Sequence, residues 1–310
     1  MMKQGLLGIG IAVMATVPAF ASDNAGAFIE QGIGARAAGM GMAYVSVVGD
    51  SQSVYWNPAK LTNVKNIDVN GMVTSAFETN FSNVQVAGPV GEWSMGLGFY
   101  GANTPGIRRT TLDTLSDSGR FIATGDEFSY SASAVFLSTG KQITPELSLG
   151  ASVKVLSEAL DSNRASGYGV DVAASYKVSE QLAVAAIVQN ALQPRMVWNT
   201  ASGNVDTVPR NLKIGADYAI FPNWIAAGDI DIRPSRPFKY HLGTEYWVSP
   251  IVPIRLGLDN VTTQGGAKFD LTLGTGIYLE RLRMDLSWSN PENTVIADVW
   301  RFSLGYMFIP

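Results

Sequence analysis

Apolar and polar residues alternate one by one along most of this chain, from residue 66 to the C-terminus. Residues 147–155 show the pattern, with Leu147, Leu149, Ala151, Val153 and Val155 on one face and Ser148, Gly150, Ser152 and Lys154 on the other. A period of two is that of a β-strand whose two faces lie in different surroundings. Helical periodicity is nearly absent, so the pattern predicts an all-β fold. About fourteen strands are expected, at 66–77, 83–88, 92–100, 127–139, 147–158, 167–177, 181–190, 210–220, 224–232, 239–248, 252–260, 267–279, 282–289 and 298–308.

The connections between these strands alternate in length. The even-numbered ones are short, at 88–91, 140–146, 179–180, 221–223, 249–251 and 280–281. The odd-numbered ones include the two longest, 101–127 and 191–209, and the extended 290–297. Outer-membrane barrels have short periplasmic turns and longer extracellular loops, whereas a soluble sandwich has no reason to alternate this way. The sequence therefore predicts a transmembrane antiparallel β-barrel.

Composition fits a chain whose outer surface faces lipid. Charged residues make up 15% and hydrophobic residues 46%, whereas soluble domains carry about 25% charged residues. The charges fall on the face opposite the apolar one and carry both signs: Asp68, Lys154, Asp171, Lys177, Lys213, Asp217, Asp229, Asp231, Arg233, Lys239, Glu245, Arg255, Asp259, Lys268, Asp270, Arg283, Asp285 and Arg301. Charges are tolerable in a wet lumen but costly in lipid. A barrel of this size also encloses more space than its own side chains fill, so a plug is expected.

Residues 1–21 are predicted to be a secretory signal peptide. Lys3 precedes an apolar stretch that is short for a membrane span, and Ala19-Phe20-Ala21 gives a cleavage site before Ser22. The alternative is an N-terminal membrane anchor. Beyond Ser22 no run of about eighteen apolar residues occurs. The chain then divides into the signal peptide (1–21), an N-terminal plug or hatch segment (22–65) and an outer-membrane β-barrel (66–310).

The hatch segment lacks the alternation of the strands. Residues 32–61 are rich in Gly and Ala, which pack closely against surrounding walls, and Asn57-Pro58 is predicted to form a rigid turn. We expect this segment to lie inside the barrel, with Arg36 and Asp50 paired to luminal charges, because an unpaired charge there is costly. A disordered periplasmic tail is the alternative, although the segment is more apolar than disordered tails usually are.

The run GARAAGMGMAYVSVVGDSQSVYWNPAKL resembles the N-terminal signature of the PorV/PorQ family of outer-membrane proteins, which is related to the FadL-type (OMPP1/FadL/TodX) transporters. The matching positions are Gly34, Arg36, Gly39, Met40, Gly41, Ala43, Asp50, Tyr55, Asn57, Pro58, Ala59 and Leu61. Met42 and Lys60 depart from the pattern, which usually has small residues there. The resemblance implies a fourteen-stranded barrel with an N-terminal hatch in a Gram-negative-type outer membrane. It also implies a plug/hatch motif at Gly34, Arg36, Gly39, Gly41, Asp50, Asn57, Pro58 and Ala59.

Several kinds of chemistry are not expected. A net charge of −4 argues against a nucleic-acid partner, and the lack of cysteine excludes disulfides and thiolate metal sites. No catalytic residue, cofactor or metal site is predicted. His241 is the single histidine. We expect it to be a polar residue of the lumen rather than the catalytic histidine of a barrel lipase. Asp229 and Asp231 near Arg233 suggest a luminal ion-pair ladder, with a cation site as the alternative.

Two main functions remain open. The first is a PorV-like, non-enzymatic component that binds secreted proteins or the secretion machinery at its extracellular loops. The second is a FadL-like transporter of hydrophobic small molecules, such as long-chain fatty acids, gated by the hatch. Both place the barrel in contact with outer-membrane lipid.

Overall fold

The structure, a computed structural model, describes residues 25–112, 120–234, 236–262, 268–291 and 298–309. The predicted signal peptide lies outside these residues. The strands in the described part are β1 Ile67–Ala76, β2 Thr79–Val90, β3 Trp93–Leu112, β4 Phe121–Gln142, β5 Leu147–Leu160, β6 Asn163–Lys177, β7 Leu182–Leu192, β8 Arg195–Trp198, β9 Val205–Thr207, β10 Asn211–Phe221, β11 Trp224–Ile232, β12 Lys239–Ser249, β13 Val252–Thr262, β14 Lys268–Tyr278, β15 Leu282–Asn290 and β16 Val299–Phe308. The helices there are short and stand before β1. No helix in the described ranges has the length and apolarity to span a bilayer.

Fourteen of the described strands close into one antiparallel barrel. The first and last strands pair from Ile67↔Phe308 to Thr74↔Arg301, so the sheet joins on itself. Every other neighbour is also antiparallel, with β7 pairing to β6 on one side and to β10 on the other. Closure gives every wall strand a partner on both sides, which a membrane-spanning sheet requires. The predicted all-β fold with about fourteen barrel strands is confirmed.

The two faces of the wall are those that the alternation predicts. On β5, Val153 is 53% exposed on the outside, whereas its neighbour Lys154 is 2% exposed on the inside. Arg301 and Ser303 of β16 likewise face inward between exposed aromatic residues. The apolar exterior is the surface that lipid covers in a transmembrane barrel.

The described connections also keep most of the predicted difference in length between the two ends of the barrel. The six even-numbered turns have two to four residues, at 91–92, 143–146, 178–181, 222–223, 250–251 and 279–281. The N-terminal hatch segment enters at the same end as these turns. The odd-numbered side differs in part, because Phe77–Glu78 and Asp161–Ser162 are two-residue turns. These turns need positive φ at Phe77, Glu78 and Asp161.

The interpretation of 101–127 as a loop is wrong. β3 and β4 run for 20 and 22 residues, and pairing continues to Leu112↔Phe121. From Asn103 upward, side chains on both faces are largely exposed. Alternation marks a strand only where its faces lie in different media, so this extension carries no such signal. Within 191–209 the structure adds a short hairpin, β8–β9, in which β8 pairs with β6. Strands of four and three residues are too short for alternation to reveal them.

The described part of the hatch segment lies inside the barrel. It comprises a 3₁₀ turn Ala27–Gln31, α1 Ala35–Gly39, α2 Ser53–Trp56 and a 3₁₀ turn Pro58–Asn63. The largest of its buried side chains, Trp56 and Tyr44, are at most 1% exposed. The hydrophobic core of the protein therefore sits between hatch and wall, rather than between two sheets.

Candidate functional site: the hatch in the lumen

Glycines on the hatch meet glycines on the wall. A Cβ on Gly39 would lie 2.9 Å from the Cα of Gly274, and one on Gly41 would lie 2.6 Å from the backbone of β12 and β13. From the other side, Cβ atoms on Gly243 and Gly257 would come within 2.2 Å of hatch backbone atoms. Distances under 3.0 Å exclude a side chain. The small residues at 39–41 thus let α1 lie directly on the strand backbones.

Gly34 makes a close contact within the hatch itself. Its φ of +88° lies in the region that favours glycine. A Cβ there would lie 1.7 Å from Oε1 of Gln52. Its place at the start of α1 therefore depends on the absence of a side chain.

Arg36 is fixed to the wall by a bidentate ion pair. Its Nε donates to Oε2 of Glu245 at 2.9 Å and its Nη2 to Oε1 at 2.8 Å. Arg255 donates to the same carboxylate at 2.6 Å and to Asp285 at 2.8 Å. Burial, the largest single influence, lowers the pKa of the Arg36 guanidinium, but Glu245 together with Tyr44 and Tyr278 more than offsets it and holds that pKa well above its ordinary value. Two cations and two carboxylates thus form a neutral, buried cluster beneath α1.

Asp50 makes the second ionic contact between hatch and wall. Its Oδ2 accepts from Nη1 of Arg283 at 3.3 Å, and Arg283 also binds Asp68 of β1. The other oxygen of Asp68 accepts from the backbone N–H of Ser51 at 2.9 Å. Arg36 and Asp50 therefore both contact luminal charges of the opposite sign.

Asn57, Pro58 and Ala59 join the hatch to the end of the wall that carries the short turns. Oδ1 of Asn57 accepts from the N–H of Ala59 at 3.0 Å, with Pro58 at the first position of the turn. Nδ2 of Asn57 donates to the carbonyl of Val45 at 3.0 Å. A Cβ on Gly150 would lie 2.3 Å from the nitrogen of Ala59. The motif thus packs on wall backbone, while the Asn57 amide binds another segment of the hatch at Val45.

His241 of β12 lies opposite Asp229 of β11, and its Nε2 is 4.0 Å from Asp231. Nδ1 of His241 lies 2.7 Å from Asp259. Asp231 pairs with Lys213 and Arg233, as a ladder requires, but Asp229 accepts hydrogen bonds from hatch backbone instead. In the described ranges no three His, Asp or Glu side chains are grouped as for a metal.

Some residues that hold the hatch against the wall lie outside the predicted motif. Glu245, Arg255 and Asp285 were predicted only as luminal charges, because alternation gives a residue's face but not its neighbours.

Phe28 was not singled out. It is 5% exposed and lies against Tyr100 of β3 with ring centroids 5.9 Å apart. An aromatic residue among polar N-terminal residues was the available signal.

No family model and no curated protein sequence matches this chain. Solved structures do match it in fold. A structure titled "CymD monoaromatic hydrocarbon channel" has a TM-score of 0.68 at 12% identity, over 91% of this chain and 99% of that one. The toluene transporter TodX of P. putida gives 0.68 at 13% identity, over 90% and 99%. A Pseudomonas aeruginosa FadL homologue gives 0.58 at 12%, over 88% and 98%. The chain thus has the fold of FadL-type proteins along nearly its whole length, and nothing in these comparisons supports a PorV/PorQ relationship.

Proposed function

We propose that this protein is a passive, non-enzymatic transporter of hydrophobic small molecules in the outer membrane, with a lumen that its N-terminal hatch closes. The fold likeness to hydrocarbon and toluene transporters supports this hypothesis over a role in protein secretion or surface attachment, for which the comparisons give no support. The observation that carries the proposal is the position of Phe28. The protein places one of its own phenyl rings in an apolar luminal pocket.

The pocket around Phe28 is formed by the wall and is lined by apolar side chains. Tyr100, Ala102 and Phe81 belong to the same buried cluster as Phe28. Ala102 pairs directly with Phe81 on β2 and with Ala132 on β4, which places these side chains together on the luminal face. Such a surface favours an apolar ligand with about the width of a ring.

The turn that carries Phe28 is attached at few points. Gly26 and Gly32 flank it with φ of +71° and +70°. Its polar anchors are the N–H of Gly26 to Glu158 at 3.0 Å, the Tyr55 hydroxyl to the carbonyl of Ile29 at 2.5 Å, and the ion pairs of Glu30 with Arg233 and Arg236 at 2.5 and 3.6 Å. A ligand that takes the place of the Phe28 ring would need to move only this short segment.

Substitution of Phe28 tests the proposal. Phe28→Ala should leave a ring-sized apolar cavity, and such cavities bind small aromatic molecules. We expect toluene to raise the thermal unfolding temperature of this variant more than that of the wild type, and to enter intact cells faster. Phe99→Ala is the matched control, because Phe99 neighbours Tyr100 but faces lipid and is 43% exposed. Equal toluene responses of the two variants would contradict the proposal.

A further inference from the structure

Two polar cavities lie between the hatch and the wall at opposite ends of the barrel. The one toward the extracellular end has a volume of about 190 Å³, and Lys213, His241 and Arg301 are among its lining residues. The one at the periplasmic end measures about 230 Å³ and is lined in part by Lys60 and Asp217. Both differ from the Phe28 pocket, because charged and polar side chains of both signs dominate their walls.

Strand β10 connects the two cavities. Lys213 lines the upper cavity and Asp217 the lower one, and both side chains face the lumen. Four residues of strand span about 13 Å. On β10 the luminal position between them is Gly215, and the carboxylate of Asp229 on the neighbouring β11 lies over it, 2.2 Å from where a Cβ would stand.

Hatch residues 44–46 and the Asp229 carboxylate together fill the space over Gly215. Gly215 pairs with Asp229 on β11, and Oδ2 of Asp229 accepts from the N–H groups of Tyr44 and Val45 at 2.8 and 2.9 Å. The hydroxyl of Ser46 donates to Asp217. A Cβ on Gly215 would lie 3.2 Å from the Cβ of Val45, so hatch and wall are in close contact here.

Residues 44–46 are at most 1% exposed, and a small set of contacts holds them. On the wall side they have the bonds to Asp229 and Asp217, and on the hatch side Asn57 binds the carbonyl of Val45. The hydroxyl of Tyr44 also accepts from Nη1 of Arg36 at 3.3 Å, whereas the ion pairs that Arg36 and Asp50 make with the wall do not include residues 44–46.

We propose a second function for this barrel: a polar conduit along β10 that passes small hydrophilic solutes, with hatch residues 44–46 as its gate. Charges of both signs on its walls suit zwitterionic or uncharged solutes better than ions of a single sign. Each cavity is smaller than the roughly 300 Å³ at which drug-sized ligand pockets begin, so the solutes are of amino-acid or monosaccharide size. This conduit is independent of the proposed transport of hydrophobic molecules, which uses the Phe28 pocket.

Liposome swelling in glycine or arabinose tests the conduit. Asp229→Ala removes both the acceptor of two gate amides and the carboxylate over Gly215, and should raise the swelling rate about tenfold, the factor that corresponds to about 1.4 kcal/mol. Asp68→Ala removes a wall carboxylate that accepts a hatch amide on the far side of the barrel, and should give a smaller rise. An equal or larger rise with Asp68→Ala would overturn the proposal. Heat-modifiable mobility on gels selects folded barrels for both measurements.

Engineered disulfides between hatch and wall, here called staples, give a second measurement. They are simple to introduce because the chain has no cysteine. In the Asp229→Ala background, oxidised Ser46→Cys/Asp217→Cys should return swelling to the protein-free rate, and reduction should restore it. A staple of Ala35→Cys/Ser303→Cys ties α1 to β16, where the Ala35 N–H already donates to Ser303 at 2.8 Å, and should leave swelling unchanged. If both staples block, the hatch moves as a whole; if neither blocks, the path lies elsewhere. Either result would overturn the proposal, whereas the toluene response of Phe28→Ala tests the other function separately.

Discussion

Removal of the Arg36 guanidinium should loosen the hatch strongly, because it unbalances a buried cluster of charges. In Arg36→Met, Glu245 and Asp285 remain with Arg255 as the single cation, and Glu245 and Arg255 are at most 1% exposed at the side chain. Loss of one partner from a buried pair costs about 3–5 kcal/mol. We expect the lower end, about 3 kcal/mol, because Glu245 keeps its 2.6 Å bond to Arg255. This free energy corresponds to an increase of roughly 10² in the population of released hatch.

The reactivity of a buried cysteine in the hatch measures that population. Ser53→Cys is a suitable reporter, since Ser53 is 0% exposed and its hydroxyl has no hydrogen-bond partner among the described residues. Labelling of this cysteine by a water-soluble maleimide should accelerate about 10²-fold in the Arg36→Met background. Glu245→Gln added to Arg36→Met should recover part of the loss, giving a coupling free energy above about 1 kcal/mol. Lys177→Met is the control, because its pair with Glu180 is exposed and such pairs contribute about 0–1 kcal/mol. Equal labelling rates in Arg36→Met and Lys177→Met would refute the reasoning.

Three further outcomes are expected. Leu271→Arg, on the lipid face, should lower the folded fraction seen by heat-modifiable mobility, because a cation in the hydrocarbon region costs roughly 2–4 kcal/mol; an unchanged folded fraction would mean that the register is wrong. Gly257→Ala should assemble a barrel with a displaced hatch, detected by faster labelling of the buried reporter cysteine, because its Cβ would lie 2.2 Å from a hatch nitrogen. Gly71→Ala, whose nearest neighbour would be 3.4 Å away, should label like the wild type. On intact cells an impermeant maleimide should reach a cysteine at Ser202 but not one at Thr144, and the reverse result would invert the topology.

The hatch motif shows how far a sequence resemblance leads toward a site. Asn57-Pro58-Ala59 was recognised as a rigid turn, and its cap is local, from Asn57 to Ala59 two residues later. The contact of the Asn57 amide with Val45 does not follow from the sequence, because Val45 lies twelve positions earlier and the two meet only once the hatch is folded. The same holds for Arg36, whose need for an anionic partner followed from burial, whereas Glu245 lies 209 residues away.

Alternation by itself determined the class of fold, the barrel strands and the face of each side chain, because a strand between lipid and a wet lumen must change polarity at every residue. The identities of the neighbouring residues alone place Val153 on the outer face and Lys154 on the inner face. Where both faces meet water, as in the upper part of β3–β4, that constraint vanishes, and only the structure revealed the strands. Tertiary structure also decided which luminal charges pair, where Phe28 binds and where the hatch meets Gly215. Those contacts join residues far apart in the chain, and their specificity depends on shear and close packing, which no local pattern of residues encodes.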